Sequence, residues 1–321
     1  MATVAITGGT GLIGRVITQA LVAKGYNVIV LTRDKSKTAS DRPNISYAEW
    51  NIKEQTIDRA AIEKAHYLIH LAGANVAESR WTEKRKKEIR DSRVQSGALL
   101  VKALRDIPND IEAVVSASGI GWYGPDKSPL PTPSGGGVER QTSFIETDPP
   151  GDDFLGRTCR EWEAAIQPVT DLGKRLVILR TGIVLSNEGG AYPEFKKPLQ
   201  FGAAAILGSG KQIVSWIHID DLVQLYVRAL EDKNWSGVYN AVAPHPVSNE
   251  ELVQTIAKTK GGFHITGHVP AFLLKLILGE MSVEVLKSAT VSAEKVQRTG
   301  YQFHYPDIEA ALQNLNKNKA S

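Results

Sequence analysis

The stretch Thr7-Gly8-Gly9-Thr10-Gly11-Leu12-Ile13-Gly14 constrains this chain more than any other. It follows a short apolar run, Val4-Ala5-Ile6, and opens onto residues 15–24, whose apolar spacing is that of an amphipathic helix. Gly8 permits a tight turn, Gly11 lets the backbone approach a ligand, and Gly14 allows the helix to pack closely on the strand. The helix N-terminus adds N–H donors and a partial positive charge. A strand, this loop and a helix in that order predict a cradle for the diphosphate of a dinucleotide. The spacing Gly8-x-x-Gly11-x-x-Gly14 differs by one residue from the usual G-x-G-x-x-G.

The rest of the chain reads as the same architecture. Residues 28–31, 45–48, 67–71, 113–116 and 176–179 are short and rich in β-branched residues, as strands are. Residues 56–64, 83–105 and 154–169 have helical spacing. Apolar strands alternating with helices predict an α/β class, a doubly wound parallel sheet covered on both faces. Residues 98–101 of the long helix are apolar, so its second half should pack on the sheet. Residues 125–153 carry Pro129, Pro131, Pro133, Gly135-Gly136-Gly137 and Pro149-Pro150 and read as a surface loop or a flap beside the site. Helices are expected at 219–231, 249–260, 271–278 and 307–314. The division expected is a nucleotide-binding domain over residues 1–180, interleaved with a smaller C-terminal substrate lobe over 181–321.

Composition narrows the function. The 321 residues are 42% hydrophobic and 23% charged, with a net charge of +3, too mild for nucleic acid or an anionic membrane as the main partner. The single cysteine, Cys159, excludes an internal disulfide framework, and no histidine has metal-ligand spacing, so no metal is expected. No signal-like segment or apolar run of spanning length is evident, which makes a cytoplasmic location the expectation.

Which dinucleotide is decided by the tip of the second strand. NAD sites place an acid there for the ribose hydroxyls. Here the next residues are Thr32 and Arg33; a guanidinium suits a 2′-phosphate, and Lys35 and Lys37 add positive charge. Asp34 argues for NAD but should point away if Arg33 points in. The reading is NADP(H). Further on, the small residues of Leu71-Ala72-Gly73 would let a cofactor approach the backbone, or simply end a strand.

With Thr7–Gly14 in place, Leu71-Ala72-Gly73, Ser116-Ala117-Ser118 and Trp122-Tyr123-Gly124 make the chain resemble an extended short-chain dehydrogenase/reductase. More narrowly it is similar to the epimerase-like YfcH-type family. That match rests on Glu88-Ile89-Arg90-Asp91-Ser92-Arg93, Leu207-Gly208-Ser209-Gly210-Lys211-Gln212, Ser215-Trp216-Ile217-His218-Ile219-Asp220-Asp221 and Tyr239-Asn240-Ala241-Val242-Ala243-Pro244, and on Gly300-Tyr301 within residues 295–312. The resemblance implies a seven-stranded sheet binding NADP(H) and a C-terminal lobe for a small substrate. Cofactor contacts are implied at Thr7, Gly8, Gly9, Thr10, Gly11, Leu12, Ile13, Gly14, Thr32, Arg33, Leu71, Ala72, Gly73, Glu88, Arg93 and Ser116, and at Val184 in Gly182-Ile183-Val184. It also implies a possible homodimer through residues 83–105 and 154–169.

Catalysis departs from the resemblance. The superfamily's Tyr-x-x-x-Lys pair supplies the acid and base, and a serine holds the substrate oxygen. Ser118 matches the serine. The helix that should carry the pair places Leu155 and Cys159 at those positions, or Phe154 and Thr158 one residue earlier. Tyr123 is then the candidate proton source, or a residue that packs under the loop. Cys159 is read as an inert buried thiol, His218 as structural, and Glu146 and Asp148 as solvated. The function these features imply is an NADP(H)-dependent, epimerase-like oxidoreductase. The alternative is an NADP(H)-binding protein with little or no turnover.

Overall fold

The computed structural model describes residues 1–34, 43–126 and 143–317. Lys35 and Lys37, and residues 127–142 of the proline- and glycine-rich stretch, lie outside the described residues. The strands in chain order are β1 (Thr3–Thr7), β2 (Asn27–Thr32), β3 (Ile45–Asn51), β4 (Thr56–Ile57), β5 (Tyr67–His70), β6 (Ala113–Gly119) and β7 (Arg175–Thr181). Between them run α1 (Leu12–Ala23), α2 (Arg59–Lys64), α3 (Glu83–Asp106) and α4 (Phe154–Ile166). With Gly237–Ala241, the strands form one sheet in the order Gly237–Ala241, β7, β6, β5, β1, β2, β3, β4.

Strands β1, β2, β3, β5 and β6 pair in parallel, and Val4, Ala5, Ile6, Leu68, Ile69, Val114 and Val115 are fully buried. Residues buried on both faces cannot alternate with polar ones, which is why these strands read as continuous apolar runs. The order reverses between β1 and β5. That is the switch point of a doubly wound sheet, where ligands bind beyond the carboxyl ends of the strands.

The sheet has eight strands, against the seven the resemblance implied, and β4 is the short addition, antiparallel to β3. Residues 56–64 were expected to form a single helix. Instead the Asp58 side chain accepts from Ala61 N and caps α2, leaving Thr56 and Ile57 to pair with Asn51 and Trp50. Residues 154–169 are split too: α4 passes into a 3-10 turn, Gln167–Leu172, where Pro168 lacks the N–H that would continue an α-helix. The apolar half of α3 packs as expected, with Leu99, Leu100, Val101 and Leu104 in one core with Ile29, Leu68 and Val114.

The chain divides into two compact units. The first is Met1–Gly119, Arg157–Arg180 and Ile219–Tyr239; the second is Ile120–Gly156, Thr181–His218 and Asn240–Ser321. Position 180/181 is thus one of five crossings. Residues 219–239, expected in the C-terminal lobe, belong to the first unit. There, helix Ile219–Glu231 packs on α1 and Gly237–Ala241 lines the sheet edge beside β7. Residues 120–156, expected in the nucleotide-binding domain, belong to the second.

The second unit holds three small sheets and its own core, in which Leu185, Tyr192, Trp216, Leu252, Ile256 and Leu312 cluster. Ser248 caps helix Asn249–Lys260 by accepting from Glu251 N. Helix Ala271–Leu278 forms as expected but is largely exposed, with Phe272, Leu276 and Ile277 on the surface. Among the described residues, no helix is long and apolar enough to cross a membrane.

Candidate functional site

The loop after β1 is shaped by clearances that only glycine meets. Gly8 holds φ at +70°, and a Cβ there would lie 2.9 Å from the carbonyl carbon of Leu71. The loop after β1 and the turn after β5 therefore meet backbone to backbone. A Cβ on Gly14 would lie 2.2 Å from the Gly8 carbonyl oxygen, and one on Gly9 would lie 2.4 Å from Ile6 Cγ2. Gly11 is looser, its Cβ falling 3.2 Å from Gly8 O. The tightest approaches thus belong to Gly14, as expected, and to Gly9, for which the spacing supplied no separate role. Thr10 and Gly11 are exposed, Leu12 and Ile13 half-buried. Gly11 begins α1 without a side-chain cap, and the first turn of α1 carries no acidic residue to compete with a phosphate. This backbone cradle fits a diphosphate.

At the tip of β2, the Thr32 hydroxyl accepts from Asp34 N at 3.4 Å, and the Arg33 side chain is exposed. At the end of β5, Leu71 N and Ala72 N both donate to Thr7 Oγ1, at 3.1 and 3.3 Å. A Cβ on Gly73 would lie 3.0 Å from Arg93 Cζ, so glycine admits the guanidinium at this turn. Arg93 braces it by donating to Ala74 O at 3.1 Å and to Ile89 O at 2.8 Å, and it lies 4.9 Å over the Trp162 ring. Glu88 pairs with Arg85, which also donates to Asn75 O, so the pair ties α3 to the segment beyond the turn. Ser116 is buried, its hydroxyl turned to Ala117 O. Val184 belongs to the second unit, half-buried and paired with Ile217.

His70 was passed over as a functional residue in the sequence. It is fully buried, with Nδ1 2.8 Å from Thr7 Oγ1 and Nε2 3.3 Å from Ser96 Oγ. Burial, with a smaller contribution from the Arg93 charge, pushes its pKa down to about 3, so the ring is neutral. The available signal was a polar residue ending an apolar strand, at the same level as Thr7 and Ser116 on the neighbouring strands.

The end of β6 is organised differently. Ser118 Oγ donates to Glu163 Oε1 at 2.7 Å, and Arg180 grips the same carboxylate with Nε at 2.8 Å and Nη2 at 2.9 Å. All three residues are buried. A bidentate guanidinium fixes the plane of the carboxylate. Cys159 is buried beside them, its thiol pushed up to about 11 by desolvation, so it is protonated and unreactive as expected.

Tyr123, the candidate proton source, lies in the second unit and is fully buried in a cluster with Val242, Val291 and Ala293. Its ring stacks on Phe144 at 5.0 Å, and its hydroxyl donates to Asn240 Oδ1 at 2.7 Å. The phenol is packed and its proton is engaged, which favours the packing alternative over the proton source. Glu146 also differs from expectation, since it accepts from the backbone N–H of Asn240 at 2.9 Å. Asp148 is a local cap on Ile145 N, and His218 is buried against the Tyr305 ring, a structural placement.

Comparison with known proteins places this geometry. The NAD dependent epimerase/dehydratase family matches residues 4–147, and a domain of unknown function, DUF1731, matches residues 269–315. An epimerase family protein of Staphylococcus saprophyticus is 36% identical over 97% of this chain and 98% of its own. The crystal structure of the human epimerase family protein SDR39U1 with NADPH superposes with a TM-score of 0.83 at 30% identity, covering 98% of this chain and 99% of that one. A nucleoside-diphosphate sugar epimerase from Corynebacterium glutamicum gives a TM-score of 0.75 at 32% identity, over 98% of this chain and 58% of that one. Full-length identity at this level and the glycine cradle at the switch point agree: the chain belongs to the epimerase family of short-chain dehydrogenase/reductase-like proteins.

Proposed function

We propose that the chain binds NADP(H) in the crevice between β1 and β5 and acts as an epimerase-family oxidoreductase on a small oxygenated substrate. The observation that carries this reading is the Gly8–Gly14 cradle, closed against Leu71 and opening onto an uncapped α1. The exposed guanidinium of Arg33 at the tip of β2, where an NAD site would place an acid, supports the phosphorylated nucleotide. The human relative determined with NADPH supports the cofactor, and the nucleoside-diphosphate sugar epimerase from Corynebacterium supports a sugar-nucleotide screen.

When bound, the cofactor's nicotinamide would supply or accept a hydride. The chain's own contribution is to hold the diphosphate on backbone N–H groups and to present Ser118. Because the Ser118 proton is given to Glu163, its oxygen acts as an acceptor, toward the neighbouring Cys159 thiol and, with its remaining lone pair, toward a ligand hydroxyl rather than a ketone. Glu163, held in place by Arg180, is the group to which the Ser118 hydroxyl is bonded.

Nucleotide fluorescence titration tests the reading. NADPH should bind more tightly than NADH, and Arg33→Ala should weaken NADPH about 10- to 100-fold while leaving NADH nearly unchanged, the loss of charge-assisted contacts to one phosphate. Equal losses for both nucleotides would remove the NADP(H) assignment. The second reading, binding without turnover, is favoured by one observation: neither Leu155 nor Cys159 offers an exposed acid, and the Tyr123 hydroxyl is buried. Tight NADPH binding with no nucleotide turnover across carbonyl compounds and sugar nucleotides would select it.

A further inference from the structure

We propose that His70 is a positioning residue of the nucleotide site, a neutral Nε2–H imidazole that sets the spacing of the two backbone turns flanking the crevice. The proposal rests on the reading that this crevice takes a pyridine dinucleotide.

The proton positions follow from counting donors and acceptors. Thr7 Oγ1 is approached by Leu71 N at 3.1 Å, Ala72 N at 3.3 Å and His70 Nδ1 at 2.8 Å. Two of those three are amides, which can only donate, so both need a lone pair of the oxygen; the Leu71 N–H is shared with Thr7 O at 3.2 Å. The single hydroxyl proton must then go to His70 Nδ1, which makes Nδ1 an acceptor and places the ring proton on Nε2. Nε2 faces Ser96 Oγ at 3.3 Å, and that hydroxyl passes its own proton to Arg93 O at 2.9 Å. Each group therefore gives one proton to the next, from the Leu71 and Ala72 amides through Thr7, His70 and Ser96 to the carbonyl of Arg93. A proton on Nδ1 would face the Thr7 hydroxyl proton across 2.8 Å.

The relay spans both sides of the crevice. Thr7 is the last residue before Gly8, whose backbone abuts Leu71. At the other end, Arg93 fills the space left by Gly73 and donates to Ala74 O. By taking the Thr7 proton, His70 holds the Oγ1 lone pairs toward the Leu71 and Ala72 amides, and so fixes the loop that would hold the diphosphate relative to the turn that would face the adenine half of the nucleotide; Ser96 steadies the ring from its far side. Shifting one against the other by a few tenths of an ångström would misalign the cradle without unfolding the sheet.

Two isosteric replacements separate this role from packing. An asparagine amide reaches only the position of Nδ1, so His70→Asn keeps an acceptor for Thr7. A glutamine amide reaches the position of Nε2, so His70→Gln keeps Ser96 and strands the Thr7 proton. Titrated with NADPH, His70→Asn should stay within about 3-fold of wild type, while His70→Gln and Thr7→Val lose about 10- to 100-fold, the cost of a broken buried hydrogen bond. His70→Asn and His70→Gln should melt at similar temperatures, which a purely structural role would not combine with different affinities. In the wild-type protein, ¹⁵N NMR of the imidazole should show the Nε2–H tautomer at pH 7.

An Nδ1–H or doubly protonated ring overturns the proposal even if a variant fails to fold. If wild type binds NADPH and His70→Gln binds it equally well, the proposal fails and the nucleotide reading stands. If wild type binds neither NADPH nor NADH, the nucleotide reading fails and this proposal with it.

Discussion

The carboxyl ends of β1 and β6 belong to the same sheet and are built on opposite plans. After β1, glycines strip away side chains and leave backbone facing outward, with an uncapped helix behind it. After β6, polar side chains turn inward and satisfy one another: Ser118 on Glu163, Glu163 on Arg180. The first arrangement is unfinished without a ligand, whereas the second pairs its own charges within the protein. Holding a diphosphate would therefore be a task of the main chain here. The two can be broken independently.

The largest expected effect is at the ion pair. Arg180→Met leaves the Glu163 carboxylate buried without its cation, and chemical denaturation should register a loss of about 3–5 kcal/mol. The folded variant should still bind NADPH near the wild-type affinity. A collapse of affinity without a loss of stability would show that the two strand ends are one functional unit. Next comes Gly14→Ala, whose methyl would lie 2.2 Å from the Gly8 carbonyl oxygen. Overpacking at such a site costs about 1–3 kcal/mol. Here NADPH binding should disappear in a titration while circular dichroism still reports the sheet, the converse of the Arg180 result.

The most gradual effect, small over any one pH unit, is a slope in pH. His70 titrates near its ordinary value of 6.5 when unfolded and at about 3 when folded. Between those values the unfolded chain holds a proton that the native ring refuses. Stability from this group is therefore complete above pH 6.5 and falls as the pH drops, by at most about 1.4 kcal/mol per unit. His70→Asn should flatten that part of a stability-versus-pH curve, and an unchanged curve would mean that the ring is not held neutral.

What was legible in the sequence follows the same divide. Strands buried on both faces announce themselves as apolar runs, and a glycine loop announces itself by spacing, because both are local. Thr7 and His70 are 63 positions apart and Ser118 and Glu163 are 45 apart; their meeting depends on strand register and on how α4 lies on the sheet. Nothing local signals that a tyrosine beside a tryptophan in Trp122-Tyr123-Gly124 will be sealed by Asn240, more than a hundred residues later. The misplacement of residues 219–239 has the same origin. A helix advertises its apolar stripe but not the surface that will cover it, and here that surface is α1.

The five crossings of the chain between its units bear on how the protein is made. The first unit begins at residue 1, yet the strand flanking β7 ends only at Ala241. A ribosome must release the chain as far as Ala241 before that sheet margin is capped. Until then β7 presents unpaired peptide groups, the kind of margin on which growing chains adhere to one another. Cutting a gene for this protein at codon 180 would make that transient hazard permanent.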